Sequence, residues 1–373
     1  MKILLVNYME TTQPGGINNV VREIAKNLVK EGHEISVLQT NNFDLPDNEL
    51  IDGYKIIRVK SIFRHFGLFY DLSPEVYFYL KNHLKKLNPD IIHVHGYHRL
   101  FPLEIIYLIK KNYPYIPIIF SPHFGIFSHD TLAGKYFFGT YNKLIGKKIA
   151  NYANKLIVSS EFEEDNVTKE LEINAKKIIL IPHGVDKIDL SPKLINSQIK
   201  LLYVGYLLKL KGINHIMRAL HELKKLNTDI KLIIIGEGSY KKNLFKLAEE
   251  LDITDNIVWK QFISPSDRWN LLKQYKEADI LLLLSESENY GTVVPEALAM
   301  GTPVIVTKRT ALKEFLIENG CYGVSYPPKP KEVANLILKI SNNTRKIGPL
   351  KKIKKWKEIS KIYEKTYSNL IEK

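Results

Sequence analysis

The sequence predicts an α/β protein of two doubly wound, Rossmann-like domains, each built on a parallel sheet. Three observations carry this. Short apolar runs that read as buried strands alternate with stretches of helical periodicity along nearly the whole chain. The alternation lapses in a strand-poor connector, from His183-Gly184-Val185-Asp186 to about Gln198, and then restarts. The length of 373 residues suits two domains of roughly 150 residues each. The domains are expected over residues 1–185 and 199–350, with a closing helix over about 351–373.

The elements follow in order. Residues 3–6 form a first buried strand, and the segment is too short to be a signal peptide. Gly15-Gly16 opens a helix with Ile17, Val20, Val21, Ile24 and Leu28 along one side, and Gly32 ends it. Strands are expected at 34–39, 91–94, 117–120, 155–159 and 178–181. Ser73-Pro74-Glu75 starts a helix, with proline in the first turn where its missing N–H goes unneeded. In the second half, strands are expected at 201–204, 231–235, 257–260, 280–284 and 303–306. Helices are expected from Gly212 to near Leu226, over 266–276 and over 332–340. The tail reads as an amphipathic helix, with Ile353, Trp356, Ile359, Ile362 or Tyr363, and Tyr367 on one side.

Composition narrows the class. Hydrophobic residues make up 45% of the chain, ample for two cores. No run reaches the ~18 apolar residues of a membrane span. A single cysteine, Cys321, excludes an internal disulfide, fits a reducing, cytoplasmic setting and is expected as a plain core or loop residue. The net charge of +14 is uneven: residues 345–373 hold 10 Lys/Arg against 3 Asp/Glu, and residues 55–155 hold 15 against 5. Such patches attract anionic lipid, nucleic acid or acidic substrates, or simply face solvent.

The most informative stretch is Glu288-Asn289-Tyr290-Gly291-Thr292-Val293-Val294-Pro295-Glu296-Ala297-Leu298-Ala299-Met300-Gly301-Thr302-Pro303-Val304. A turn containing Gly291 leads from the first carboxylate into a helix that carries the second, and the apolar run 280–284 precedes it. Strand, turn and helix aim backbone N–H groups and a positive helix pole above the strand's C-terminal edge, which suits a phosphate. Carboxylates do not serve a phosphate, but they accept hydrogen bonds from hydroxyls on either side of one. Sugar hydroxyls flanking a diphosphate describe a nucleotide sugar. On spacing alone, a capped helix with two exposed acids is the alternative.

The run Glu-Asn-Tyr-Gly…Glu-Ala-Leu-Ala…Gly-Thr-Pro-Val resembles the signature of the retaining family-four glycosyltransferases with the GT-B fold (glycosyl transferases group 1). The resemblance can be followed along nearly the whole chain. It implies two domains facing across a cleft, the first binding the acceptor and the second the donor, with the last helix crossing back onto the first. Glu288 is implied to contact the donor sugar and Glu296 the nucleotide ribose, with Asn289, Tyr290, Gly291, Thr292 and Val293 lining the donor between them. A nucleoside diphosphate sugar is then the co-substrate, with no metal and no other cofactor.

Four further segments take roles from the same resemblance. Val204-Gly205-Tyr206-Leu207-Leu208-Lys209-Leu210-Lys211-Gly212 resembles a strand-to-loop motif in which an Arg and a Lys grip the diphosphate. Lys211 matches the Lys, but Tyr206 stands at the Arg. Losing one preorganised electrostatic donor typically costs ~2.7–4 kcal/mol, and Lys209, Lys308 and Arg309 are candidates to replace it. Gly236, Glu237 and Gly238 form a turn near the base, where alone they would equally suit a dinucleotide or methyltransferase loop; the full Gly-x-Gly-x-x-Gly fingerprint is absent. Trp259 and Phe262 match the wall that holds the base, although Trp259 is as readily a core aromatic. Gly15 and Gly16 permit close approach to the donor or make a tight turn. His123, in Ser121-Pro122-His123-Phe124-Gly125, falls where the family places a His beside the reacting sugar carbon.

Lys211, Glu288 and His123 are the expected catalytic residues. A metal at His93, His95 and His98 lacks the carboxylates, cysteines and spacing of a zinc site; His95 is expected at the cleft and His93 packed. The segments 60–70 and 137–143, the latter followed by Lys147-Lys148, mix aromatic and basic residues as interfacial stretches do. They suggest peripheral contact with an anionic membrane at its inner face and a lipid-linked or glycan acceptor, with no nucleic-acid partner. Two rival functions are a nucleotide-sugar epimerase of GT-B-like fold and a non-catalytic nucleotide-sugar or glycan-binding protein, which Tyr206 favours.

Overall fold

The computed structural model describes residues 1–41, 43–61, 73–125, 139–191, 198–342 and 347–372. The chain divides into two compact units, Met1–His183 with Trp356–Lys373 (unit 1) and Gly184–Lys355 (unit 2). The connector after His183 is part of unit 2. The aromatic and basic stretch 60–70 lies outside the described residues beyond Ser61, as do 137–138 of the second such stretch.

Unit 1 runs β1 (Lys2–Asn7), α1 (Gly16–Lys30), β2 (Glu34–Asn41), β3 (Asn48–Ile51), β4 (Tyr54–Lys60), α2 (Pro74–Leu87), β5 (Ile91–His95), α3 (Leu100–Asn112), β6 (Ile118–Ser121), α4 (Lys147–Tyr152), β7 (Lys155–Val158), α5 (Glu161–Glu170) and β8 (Ile178–Leu180). Its sheet order is β3-β4-β2-β1-β5-β6-β7-β8, parallel except for the β3–β4 hairpin. The chain order reverses between β1 and β5. In open α/β sheets such a reversal opens a crevice beyond the strands' carboxyl ends, where ligands bind.

The hairpin is not visible in the periodicity, because Arg58 interrupts the apolar run of β4. Arg58 is nonetheless only 3% exposed. It is tolerated there because Nε donates to Glu10 at 2.6 Å and Nη2 to Glu49 at 2.6 Å.

Unit 2 runs β9 (Ile199–Val204), α6 (Ile213–Lys225), β10 (Ile230–Ile235), α7 (Lys241–Glu250), β11 (Ile257–Lys260), α8 (Arg268–Glu277), β12 (Ile280–Leu283), α9 (Val293–Ala299), β13 (Val304–Thr307), β14 (Cys321–Val324) and α10 (Pro330–Ser341). The order β11-β10-β9-β12-β13-β14 is all parallel and reverses between β9 and β12. Leu201, Leu202, Ile280, Leu281 and Leu282 fill the core at this seam with no exposure. Cys321 is buried in the edge strand β14.

The last helix, α11 (Trp356–Ile371), starts later than the stripe implies. Residues 351–355 are instead held within unit 2. The N–H groups of Lys351 and Lys352 each donate to Glu318 at 2.6 Å, and Val185 N–H donates to the Lys354 carbonyl at 2.9 Å. Ile353 accordingly packs on the unit 2 core rather than joining the helix face. Trp356, Ile359, Tyr363 and Tyr367 of α11 are buried with the α1 side of the unit 1 sheet.

Candidate functional site

In unit 2 the geometry gathers at the β9–β12 seam. Gly212 follows the β9 loop with φ of 70°, and a Cβ there would lie 1.9 Å from the Leu284 carbonyl oxygen. Only glycine lets the loop press so closely on the end of β12. Glu286 N–H donates to the Leu210 carbonyl at 2.8 Å and ties the two loops together. The result joins residues far apart in sequence: Lys211 Nζ donates to Glu288 Oε1 at 2.6 Å. Ser285 Oγ donates to the same oxygen at 2.9 Å, and Glu288 N–H donates to Thr310 Oγ1 at 3.1 Å. The side chains remain 18% and 11% exposed, so the pair is confined but reachable.

Glu296, on the first turns of α9, is held differently. Its Oε1 accepts from Arg268 Nη2 at 2.6 Å and its Oε2 from the Tyr275 hydroxyl at 2.8 Å. Arg268 also donates to Asp186 Oδ2, from Nη2 at 2.6 Å and from Nε at 3.0 Å. Burial works against the guanidinium charge, but Glu296 and Asp186 outweigh it and drive its pKa up. Burial first, and Glu296 next, raise the Tyr275 hydroxyl well above its ordinary value, so it stays a donor.

The loops after three neighbouring strands, β9, β10 and β11, meet one another. A Cβ on Gly236 would fall 1.9 Å from the Gly205 carbonyl oxygen, and one on Gly238 2.4 Å from that of Leu207. Leu207 N–H donates to the Glu237 carbonyl at 2.9 Å, while the Glu237 carboxylate takes Lys241 Nζ at 2.8 Å. Tyr206 is 39% exposed and meets Phe262 edge to face at 5.0 Å. Burial raises its hydroxyl pKa, so it brings no charge where the Arg was expected. Of the candidate replacements, Lys209 and Lys308 are exposed and Arg309 lies over the Tyr326 ring at 4.7 Å.

Several expected donor residues point their side chains inward. Tyr290 is buried against Phe315 at 5.2 Å, and Trp259 lies against Phe245 of α7 at 4.6 Å. Gly291, with φ of 79°, sits where a Cβ would strike Leu312 at 2.7 Å. Asn289 is half-buried two residues before it, Thr292 caps α9, and Val293 begins that helix partly buried.

Unit 1 places Gly15 (φ 154°) as the N-cap of α1 and Gly16 as its first residue, with open space around Gly16. On β5 and just past the end of β6 lies a cluster of imidazoles. His95 is fully buried rather than reachable: its ring packs tilted against His93 at 4.0 Å and stacks on His123 at 5.4 Å. His95 Nδ1 is 3.1 Å from His123 Nε2. Both nitrogens of His93 are engaged, with Tyr367 at 2.7 Å and Ser121 at 2.8 Å. Burial, then His123, holds His93 down to about 3, and burial holds His123 at about 4. The rings are neutral at pH 7.

His123 adopts φ of 48° and keeps part of its surface open. Glu163 braces its loop, accepting from Phe124 N–H and Ser159 N–H at 2.8 Å each. His98 Nε2 accepts from Gly125 N–H at 3.3 Å. Among the described residues no group of three or more His, Cys, Asp or Glu is arranged to hold a metal ion, and no helix is long and apolar enough to cross a membrane.

Asp186, Glu163, Arg268 and Tyr275 were not singled out by pattern. Arg268 carried one signal: it opens a helix, where a positive charge faces the positive pole.

Comparison with known proteins bears on the family and the fold. An uncharacterised glycosyltransferase of Methanocaldococcus jannaschii is 28% identical over 365 residues, covering 90% of this chain and 87% of that protein. The alpha-monoglucosyldiacylglycerol synthase of Streptococcus pneumoniae is 25% identical, covering 87% and 75%. The crystal structure of Anabaena HepE with UDP and glucose matches with a TM-score of 0.71 at 17% identity, covering 99% of this chain and 100% of that one, a likeness of GT-B fold. The model for Glycosyltransferase Family 4 matches residues 14–187, and that for glycosyl transferases group 1 matches residues 186–362. Matched by these two models from residue 14 to residue 362, the chain belongs to the family 4, group 1 glycosyltransferases.

Proposed function

We propose that the chain transfers a sugar from a nucleoside diphosphate sugar to a hydroxyl of a lipid-linked or surface-glycan precursor, with retention at the anomeric carbon and without a metal. The observation that carries this reading is the meeting of Lys211 and Glu288 where the unit 2 sheet reverses its strand order. A cation beside a carboxylate suits a diphosphate and the hydroxyls next to it. Lys211 offsets charge on the leaving diphosphate. Glu288 accepts from the donor sugar, and Glu296 from the ribose.

His123 takes its place beside the reacting carbon from the family pattern. Its left-handed backbone is strain of the kind that persists at functional positions. No side chain is assigned as a nucleophile. In a front-face route the acceptor oxygen bonds to the anomeric carbon as the bond from that carbon to the phosphate oxygen breaks. The acceptor proton passes to that phosphate oxygen. UDP and glucose in the Anabaena structure support the donor class, and the pneumococcal relative's name supports a lipid acceptor.

Membrane contact rests on unit 1. Leu144 and Ile145 are 67% and 47% exposed between Lys143 and Lys147-Lys148. Each basic residue near an anionic surface adds about 1 kcal/mol. Sedimentation with anionic vesicles at low salt is expected to retain the protein, and its absence from the pellet removes this part.

The main test is a thermal-shift panel of nucleotide sugars and nucleoside diphosphates, followed by transfer assays with the donor found. Ligand at a hundred times its dissociation constant should add about 2.7 kcal/mol. If no nucleotide stabilises the protein, the reading falls. Donor conversion without an acceptor product points to an epimerase. Binding without turnover points to a binding protein, the outcome that the neutral Tyr206 favours.

A further inference from the structure

Arg268 invites an obvious role that the geometry denies it. One cation is missing at Tyr206, and a guanidinium is the natural replacement for it. Arg268 instead shares its charge between Glu296 and Asp186, each at 2.6 Å. Two carboxylates more than neutralise it, so little remains for a diphosphate. Its work is on Glu296.

Each carboxylate oxygen of Glu296 receives one donor from the protein, Arg268 on Oε1 and Tyr275 on Oε2. A carboxylate has about four lone-pair directions, so one remains on each oxygen. Two donors at two different oxygens also fix the rotation of the carboxylate plane. The group becomes a preset pair of parallel acceptors, with its side chain only 6% exposed. A cis-diol presents two O–H donors on neighbouring carbons and matches such a pair. Asp186 holds the other side of the guanidinium and keeps Arg268 from swinging away, and Asp186 is itself placed by the Val185–Lys355 bridge.

We infer that Arg268, with Tyr275 and Asp186, is a positioning frame that locks Glu296 to receive the ribose cis-diol and so sets the preference for ribonucleotide over deoxyribonucleotide donors. This rests on the proposed meeting of Glu296 with the ribose. Arg268 acts through Glu296 and touches no reacting atom.

The experiment is calorimetric titration of the full chain with uridine, guanosine and adenosine diphosphates, each beside its 2′,3′-dideoxy form. The wild type is expected to prefer the ribo form of its base by roughly ten- to a hundredfold. Arg268→Gln should reduce that preference to within a few-fold while the dideoxy affinity holds, and Arg268→Lys should restore part of it. In a Glu296→Gln background, Arg268→Gln should cost nothing more. Tyr275→Phe keeps the buried ring and should lose part of the preference, which supplies the answer if Arg268→Gln misfolds.

Equal weakening of ribo and dideoxy ligands by these variants would make the frame a plain structural staple and overturn the inference. Unchanged selectivity would do the same. A wild type that binds nucleoside diphosphates without ribose preference removes the Glu296 assignment and the inference but leaves sugar transfer standing. A wild type that binds none overturns the functional reading itself.

Discussion

The two units share one strand logic and solve opposite electrostatic problems at its edge. In unit 1 the reversal lies between β1 and β5, and the nearby side chains are closely packed imidazoles kept neutral by burial. In unit 2 it lies between β9 and β12, and the side chains there are ion pairs, Lys211 with Glu288 and Arg268 with Glu296. A sheet edge therefore dictates where a ligand can sit but not what charge it meets. The charged edge is the one suited to a diphosphate.

The largest expected effect tests the charged edge. Lys211→Ala should lower kcat about 10²–10³-fold, as removal of one preorganised charge-stabilising donor does, read in steady-state transfer assays. A change under threefold would erase the contrast between the edges. Glu296→Ala should raise the donor dissociation constant about ten- to a hundredfold, the worth of a buried hydrogen bond to a charged group. Titration calorimetry checks it, and an unchanged constant counts against the assignment.

Gly212→Ala forces a Cβ to within 1.9 Å of the Leu284 oxygen at a positive φ. It should cost about 1–3 kcal/mol of stability by overpacking and reduce activity by moving Lys211. Urea unfolding with a parallel activity measurement separates the two effects.

The neutral edge gives a pH signature of opposite character. His93 has a folded pKa of about 3 against 6.5 unfolded, so the unfolded chain binds more protons between these values. Stability is full above pH 6.5 and falls as pH drops toward 3, by up to ~1.4 kcal/mol per pH unit for this group. Urea midpoints between pH 8 and pH 5 should show the decline, and His93→Phe should lessen it, with the buried His95 and His123 supplying the remainder. An unchanged slope in that variant would place the acid sensitivity elsewhere. The smallest effect is at Gly16, where a Cβ meets nothing within 4 Å. Gly16→Ala should stay within about 0.5 kcal/mol of wild type by unfolding midpoint, as a surface change does, although the same glycine resembles a donor-contacting residue.

What the sequence made legible follows from local chemistry. The β9 and β12 runs, Gly212 and the two glutamates announce themselves because strand periodicity, a left-handed turn and a short motif are local features. Helix α3 is hard to read from sequence because its long apolar run shows little sidedness, with Phe101, Leu103, Ile105, Ile106 and Ile109 all buried. Strand β4 hid behind Arg58, whose partner Glu10 is 48 residues away. The frame around Glu296 was hidden for the same reason: Asp186 and Arg268 are 82 residues apart, and nothing local requires them to meet. His95 was expected at a reachable edge because its strand ends there, but the rings beside it cover it.

The closing helix carries a consequence for how the molecule is made. Trp356, Ile359, Tyr363 and Tyr367 complete the interior of unit 1, yet they leave the ribosome only after all of Gly184–Lys355. At roughly 5–20 residues per second, translation of that intervening stretch takes on the order of ten to thirty seconds. Throughout that interval the nascent first unit displays an unsealed apolar face on its α1 side. The later-synthesised unit is thus the first to have its whole sequence available, and a ribosome that stalls before Trp356 leaves a finished unit 2 tethered to a partner that chaperones must shield.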